Sequence, residues 1–147
     1  MSYTNLNYHI VFATKERRPW LRGELEKRLS QYIGGIVRRL GGDLLAANGP
    51  DDHIHLAIVT TPKVALMDLV RQIKANSSGW IHTEFPELAS FAWQDGYSAF
   101  TVSRSMLPQV VAYIEDQRKH HSRTSFKEEL IALLEKHSVA YDEKYIV

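Results

Sequence analysis

The sequence predicts an α+β fold: a four-stranded antiparallel sheet in β-α-β-β-α-β order, with additional helices towards the C-terminal end. Three observations predict it. Apolar residues recur at helical spacing in two long segments, 21–40 and 64–83. Four short runs rich in β-branched and aromatic residues lie around them. A Gly49-Pro50-Asp51-Asp52 turn separates the second and third runs and makes them a hairpin. This order is the split βαβ arrangement, called ferredoxin-like or RRM-like, and many activities share it.

The elements follow in order. Tyr8 to Thr14 reads as the first strand, and Pro19 ends the connector after it. Leu21, Leu25, Leu29, Ile33, Ile36, Val37 and Leu40 mark one face of a helix that Gly41-Gly42 stops. Asp43 to Asn48 and His53 to Thr60 are the hairpin strands. Pro62 can open the next helix, whose face is Val64, Leu66, Leu69, Val70, Ile73 and Trp80. Pro86 to Asp95 is a loop, and Tyr97 to Ser103 the fourth strand. After Pro108, Gln109 to His121 reads as one helix and Phe126 to His137 as another. Ser125 or Thr124 caps the latter, and Glu128 sits where a capping box requires it. Val139 to Val147 is a short strand or an extended arm.

A chain of 147 residues with 44% hydrophobic and 24% charged residues can pack one core, and residues 1–147 are expected to form one domain. The absence of cysteine excludes disulfides, thiolate metal sites and a cysteine nucleophile. No apolar run reaches the ~18 residues that span a bilayer, and no secretory pattern opens the chain. A cytoplasmic protein without a membrane partner is expected. Residues 1–127 carry 16 Lys+Arg against 12 Asp+Glu, a net of +4, whereas residues 128–147 carry 2 against 5, a net of −3. A basic body with an acidic tail is compatible with a polyanionic partner.

Two constellations carry chemistry. On the third strand His53 and His55 are two residues apart and point to one face, while Ile54 and Leu56 point to the other. Two imidazoles side by side make half of a metal site, and further ligands must come from elsewhere. The alternative is two solvent-facing histidines on a polar strand face. In the helix after Pro108, Tyr113 and Gln117 are four residues apart and share a face, which His120 and His121 continue. The alternative there is an amphipathic helix, with Val110, Val111 and Ile114 buried and Tyr113 at the border.

Taken together, the run Tyr8 to Lys15, the His53-Ile54-His55 motif, Trp93 to Tyr97 and Tyr113-Ile114-x-x-Gln117 resemble the IS200/IS605-type transposases. These are the single-tyrosine, or Y1, HUH transposases. The resemblance covers essentially the whole chain. It implies that His53 and His55 are the metal-binding histidines, Gln117 the third ligand and Tyr113 the nucleophile attacking a DNA phosphodiester. It also implies a homodimer acting on single-stranded DNA with hairpin ends, with the tyrosine helix able to serve its own or the partner's histidines in trans.

The chemistry suits those roles. A divalent cation held by nitrogen and oxygen ligands, Mg²⁺ or Mn²⁺, polarises an anionic phosphate that otherwise resists attack. A phenol with a pKa near ~10 needs help to attack at neutral pH. The product would be a 5′-phosphotyrosine link and a free 3′-hydroxyl. His121 and His120 are further candidates, as ligand, phosphate contact or proton carrier. Lys15, Arg17, Arg18, Lys74, Arg104 and Arg118 are candidates to hold the DNA backbone. Trp20, Trp80 and Trp93 could stack on bases or sit in the core. Two other readings stand beside this one. A domesticated family member would act on chromosomal hairpin repeats. A non-catalytic RRM-like module would bind nucleic acid, but it calls for aromatics where the third strand has His53 and His55.

Overall fold

The computed structural model describes residues 1–120 and 124–146. Strands β1 (Leu6–Ala13), β2 (Asp43–Asn48), β3 (His53–Thr60) and β4 (Ser98–Thr101) form one antiparallel sheet in the order β2-β3-β1-β4. Helices α1 (Gly23–Arg39) and α2 (Leu66–Glu84) cover one face. Helices α3 (Leu107–Glu115), α4 (Gln117–His120) and α5 (Phe126–Lys136) follow β4.

Alternation along the two central strands builds two different interiors. Ile10 and Phe12 of β1, with Ile54, Leu56 and Ile58 of β3, point towards α1 and α2 and join Leu25, Leu29, Ile33, Leu69 and Ile73 in the larger core. The opposite face carries Val11 and Ala13, packed with Phe100, Phe126, Leu130 and Leu134 under α5. Beside them Ala46 and Ala57 meet Ile114 of α3. Both faces of β3 are therefore covered, and only Val59 along it is not buried. His53 and His55 lie on the α3 and α5 side, in register with Ala13 and Val11 of β1. They are fully buried, which excludes the solvent-facing alternative for this pair.

The element order matches the sequence prediction, with differences at three ends. The helix expected over Gln109–His121 is interrupted. α3 begins at Leu107, with Pro108 in its first turn, and ends at Glu115. Asp116 leaves helical geometry (φ −96°, ψ 12°) and α4 starts at Gln117. The carbonyl of Glu115 accepts a hydrogen bond from Asn48 Nδ2 at 3.0 Å, so a β2 side chain takes a carbonyl that would have continued the helix. The fourth strand is shorter than Tyr97–Ser103. Gly96 turns with φ +85° before it, and a 3-10 turn over Arg104–Met106 follows it. The expected strand or extended arm at the C-terminal end is a 3-10 turn, Glu143–Tyr145, and Ile146 packs against the α5 core.

α5 ends where expected within one residue, and Ser125 caps it by accepting from the Glu128 N–H at 3.2 Å. The tryptophans pack internally. Trp93 is buried, lies edge-on to Phe12 and donates to Ser77 Oγ at 3.0 Å. Trp20 and Trp80 pack against the same core. No helix among the described residues is long and apolar enough to cross a membrane.

Candidate active site

The site is assembled from four elements around one carboxylate. β3 supplies His53 and His55, β1 supplies His9, the α3–α4 segment supplies Tyr113 and Gln117, and α5 supplies Glu129. His55 Nε2 lies 2.9 Å and His53 Nε2 lies 3.4 Å from the same oxygen, Glu129 Oε1. The other oxygen, Oε2, accepts from Gln117 Nε2 at 3.0 Å and from the Tyr113 hydroxyl. Potential ligand atoms of His53, His55 and Glu129 lie within 4.8 Å of one another, and all three residues are buried.

Each of the two histidines has a partner behind it. His53 Nδ1 is 2.8 Å from Asp52 Oδ1, an acceptor, so the proton belongs on Nδ1 and the Nε2 lone pair faces the centre. His55 Nδ1 is 2.8 Å from His9 Nε2. Burial first, then the neighbouring His55, pushes the pKa of His9 down to about 3, so its ring is neutral at physiological pH and can accept from His55. On the other side of the ring, His55 Nε2 lies within hydrogen-bond distance of Glu129 Oε1, so without metal the His55 proton can sit on either nitrogen. Half-burial works against ionisation of Asp52, but the His53 hydrogen bond and charge, with Arg17, hold its carboxyl below the usual range.

Tyr113 lies edge-on to His55 and His9, with ring centroids 5.9 and 6.0 Å away. Burial, and then its hydrogen bond to Glu129, push its phenol well above the ordinary value. Gln117 is buried, and its Oε1 has no hydrogen-bond partner among the described residues. A buried acceptor without a partner among the described residues, two imidazole nitrogens facing inward and a carboxylate are the donor set a divalent cation takes. The residues fit a metal ion.

A cavity of about 610 Å³ opens beside Tyr113 and Glu129, between α3, α5 and the end of β4, and leads from solvent to the hydroxyl.

The cations expected to hold DNA occupy different situations. Lys74 donates to the carbonyls of Gln94 (2.6 Å) and Gly96 (2.8 Å), and burial lowers its pKa. Arg118 bridges Glu26 (2.7 Å), Asp51 (3.0 Å) and the Leu21 carbonyl (2.9 Å), so it fastens α4 to α1 and to the β2–β3 turn. Arg18 pairs with Glu16 at 3.4 Å and lies over Trp20. Arg17 stacks on Phe126, which in turn packs on His53 at 4.3 Å between centroids. Its Nη1 is buried with no partner among the described residues. Lys15 and Arg104 are exposed. His121 lies outside the described residues, and for His120 only its place at the end of α4 is described.

Sequence reasoning missed Glu129 and His9. Glu129 had a signal: with Phe126, Leu130 and Leu133 it falls at helical spacing, a carboxylate on an apolar stripe. His9 had less, because its approach to His55 depends on how β1 and β3 register.

A strand-borne pair of histidines, closed by a tyrosine-bearing helix on a ferredoxin-like or RRM-like sheet, defines the class of this protein. The sequence model of the family described as "Transposase IS200 like" matches residues 2–117. The chain belongs to the IS200-like transposase family, and is thus a DNA-processing enzyme. It is 29% identical over 117 residues to the ISDra2 transposase TnpA of Deinococcus radiodurans, covering 76% of this chain and 84% of that protein. It is 31% identical over 125 residues to the transposase for insertion sequence element IS200 of Salmonella typhimurium, covering 79% and 76%. Among solved structures, a protein assigned as a transposase in D. radiodurans superposes with a TM-score of 0.66 at 30% identity, covering 79% of this chain and 93% of that one. A REP-associated tyrosine transposase bound to a REP hairpin shares the fold, with a TM-score of 0.62 at 16% identity, covering 84% and 73%.

Proposed function

We propose that this protein is a metal-dependent transposase that cleaves and rejoins single-stranded DNA at hairpin-bearing element ends through a 5′-phosphotyrosine intermediate. The observation that carries the reading is the convergence of the Tyr113 hydroxyl and the inward Nε2 atoms of His53 and His55 on one buried point. The fold shared with a hairpin-bound tyrosine transposase supports the choice of a hairpin substrate.

Tyr113 is the nucleophile. Its hydroxyl oxygen attacks the phosphorus, a tyrosyl O–P bond forms, the P–O3′ bond breaks, the phenolic proton leaves, and the 3′-oxygen departs as a hydroxyl. His53, His55 and Gln117, through its unpartnered Oε1, hold Mg²⁺ or Mn²⁺. Bound there, a divalent ion would polarise the scissile phosphate and offset charge that develops on it. Asp52 and His9 orient the two imidazoles so that Nε2 faces inward. Arg17, part-exposed over Phe126 and close to Asp52 beside the site, contacts the DNA backbone, with Lys15, Arg18 and Arg104 around it. Because the phosphotyrosine conserves the phosphodiester energy, rejoining to another 3′-hydroxyl needs no ATP. The working unit is a homodimer, for which the sheet edges β2 and β4 offer backbone pairing.

The test is to incubate the protein with labelled single strands from the flanks of its own gene, with Mg²⁺ or Mn²⁺ and with chelator. A denaturant-resistant protein–DNA adduct that chelator abolishes is expected. Free 3′- and 5′-ends without an adduct would contradict the reading.

A further inference from the structure

Glu129 is the best-connected side chain of the site, yet it lies twelve residues beyond Gln117, where the match to the family ends. We propose, resting on the metal-site reading above, that Glu129 is an additional metal ligand of this chain, binding through Oε1 while Oε2 holds Tyr113 and Gln117 in place. Helix α5 then becomes part of the metal site rather than a cover over it.

Burying the Glu129 carboxylate is costly. Glu129 is 3% exposed and sits on the stripe of α5 that also buries Phe126, Leu130 and Leu134. A buried carboxylate persists only where charge and hydrogen bonds compensate it. Oε2 has its donors in the Tyr113 hydroxyl and the Gln117 amide. Oε1 faces two imidazole nitrogens, His53 Nε2, whose ring places its proton on the far side at Asp52, and His55 Nε2, whose ring has His9 behind it. His55 Nε2 and His53 Nε2 meet this anionic oxygen at 2.9 and 3.4 Å, a buried nitrogen–oxygen cluster that a shared proton holds without metal and that a divalent cation, displacing the proton, can hold in its place. Ligand atoms around one small divalent ion are spaced by about 3 Å, given bonds of ~2.0–2.2 Å, which the separations of 2.9 and 3.4 Å between Oε1 and the two nitrogens already match.

Local structure holds the carboxylate there. The Ser125 cap fixes where α5 begins, and Phe126 packs on the His53 ring, so Glu129, one turn later, lies above the histidines. Glu128, its neighbour in sequence, is exposed and makes a natural control.

The experiment titrates the full-length protein with Mn²⁺, read by calorimetry and by electron paramagnetic resonance, for the wild type, Glu129→Gln, Glu128→Gln and His53→Ala/His55→Ala. Expected are one site in the wild type, loss in the double histidine variant, no change in Glu128→Gln, and at least about tenfold weaker binding in Glu129→Gln. Circular dichroism without metal verifies that Glu129→Gln folds. Should it not fold, the Mn²⁺-minus-apo infrared spectrum of the wild type decides. A shift of carboxylate stretching bands is expected, and its absence overturns the inference. Unchanged or tighter Mn²⁺ binding by Glu129→Gln would overturn Glu129 as a ligand and leave the two-histidine site standing. Absent Mn²⁺ binding in the wild type, or binding that survives loss of both histidines, would bring down the metal-site reading itself.

Discussion

Tyr113 and Gln117 donate to the same oxygen atom, Oε2 of Glu129, although a break in the helix separates them. An unbroken helix would place residues four apart nearly above one another. The break at Asp116 and the Asn48 bond to the Glu115 carbonyl adjust that placement, so the Tyr113 hydroxyl and the Gln117 amide address one point from α3 and from α4.

His9 is the hidden partner of that arrangement. It touches no candidate ligand atom at the centre, yet its Nε2 lies 2.8 Å from His55 Nδ1 and orients that ring. His9→Phe fills the same space and removes the hydrogen bond. Mn²⁺ affinity should fall by about 10–100-fold, as for other groups that orient a ligating histidine. Calorimetric titration checks it, and unchanged affinity would show that His55 needs no such partner.

The turn that delivers His53 has its own requirement. A Cβ on Gly49 would lie 2.1 Å from the His53 carbonyl oxygen, a backbone atom that cannot yield cheaply. Gly49→Ala should cost at least about 2 kcal/mol, as severe overpacking does. Gly35 of α1 has open space around its Cβ position, so Gly35→Ala should stabilise by about 0.5–1 kcal/mol. Urea unfolding of both variants gives the two signs, and equal effects would contradict the contrast.

The cations divide in the same way. Arg17→Ala should weaken binding of single-stranded DNA and lower the slope of log K against log salt by about one. Lys74→Met should leave the slope unchanged and lower stability by about 1–2 kcal/mol, because its ammonium holds the loop carbonyls of Gln94 and Gly96. Fluorescence anisotropy across a salt series separates the two, and a slope change in Lys74→Met alone would reverse the assignment.

One chain brings Tyr113 and both histidines together from its own residues. A mixture of Tyr113→Phe with His53→Ala/His55→Ala should therefore remain inactive, since no heterodimer then holds a complete site in cis. Recovery of adduct formation in the mixture would place the tyrosine helix across a dimer.

Much of this was legible in the sequence, for physical reasons that differ by residue. Periodicity in Leu25, Leu29 and Ile33 and the Gly49-Pro50 turn report local geometry, and the element order and the β2–β3 hairpin follow from such signals. The His53–His55 pair is readable because strand alternation is strict. Their burial is not, since it depends on α3 and α5 returning over the sheet. The helix break at Asp116 is invisible locally, because it rests on Asn48, 67 residues from Glu115. Arg118 reads as a surface cation, whereas it bridges Glu26 and Asp51 through contacts the chain makes only once folded. Glu129 is the instructive case: a carboxylate on an apolar stripe marks itself as costly, but only the fold shows what it faces.

The central claim is that Tyr113 carries the DNA, and mapping the covalent linkage tests it most directly. The adduct formed with a single-stranded hairpin end and Mn²⁺ is digested with protease and nuclease, and the peptides are sequenced by mass spectrometry. The account predicts a nucleotide remnant on the peptide containing Tyr113, and no adduct from Tyr113→Phe, which keeps its fold. A remnant on Tyr97 or any other tyrosine, or an adduct that persists in Tyr113→Phe, would contradict it.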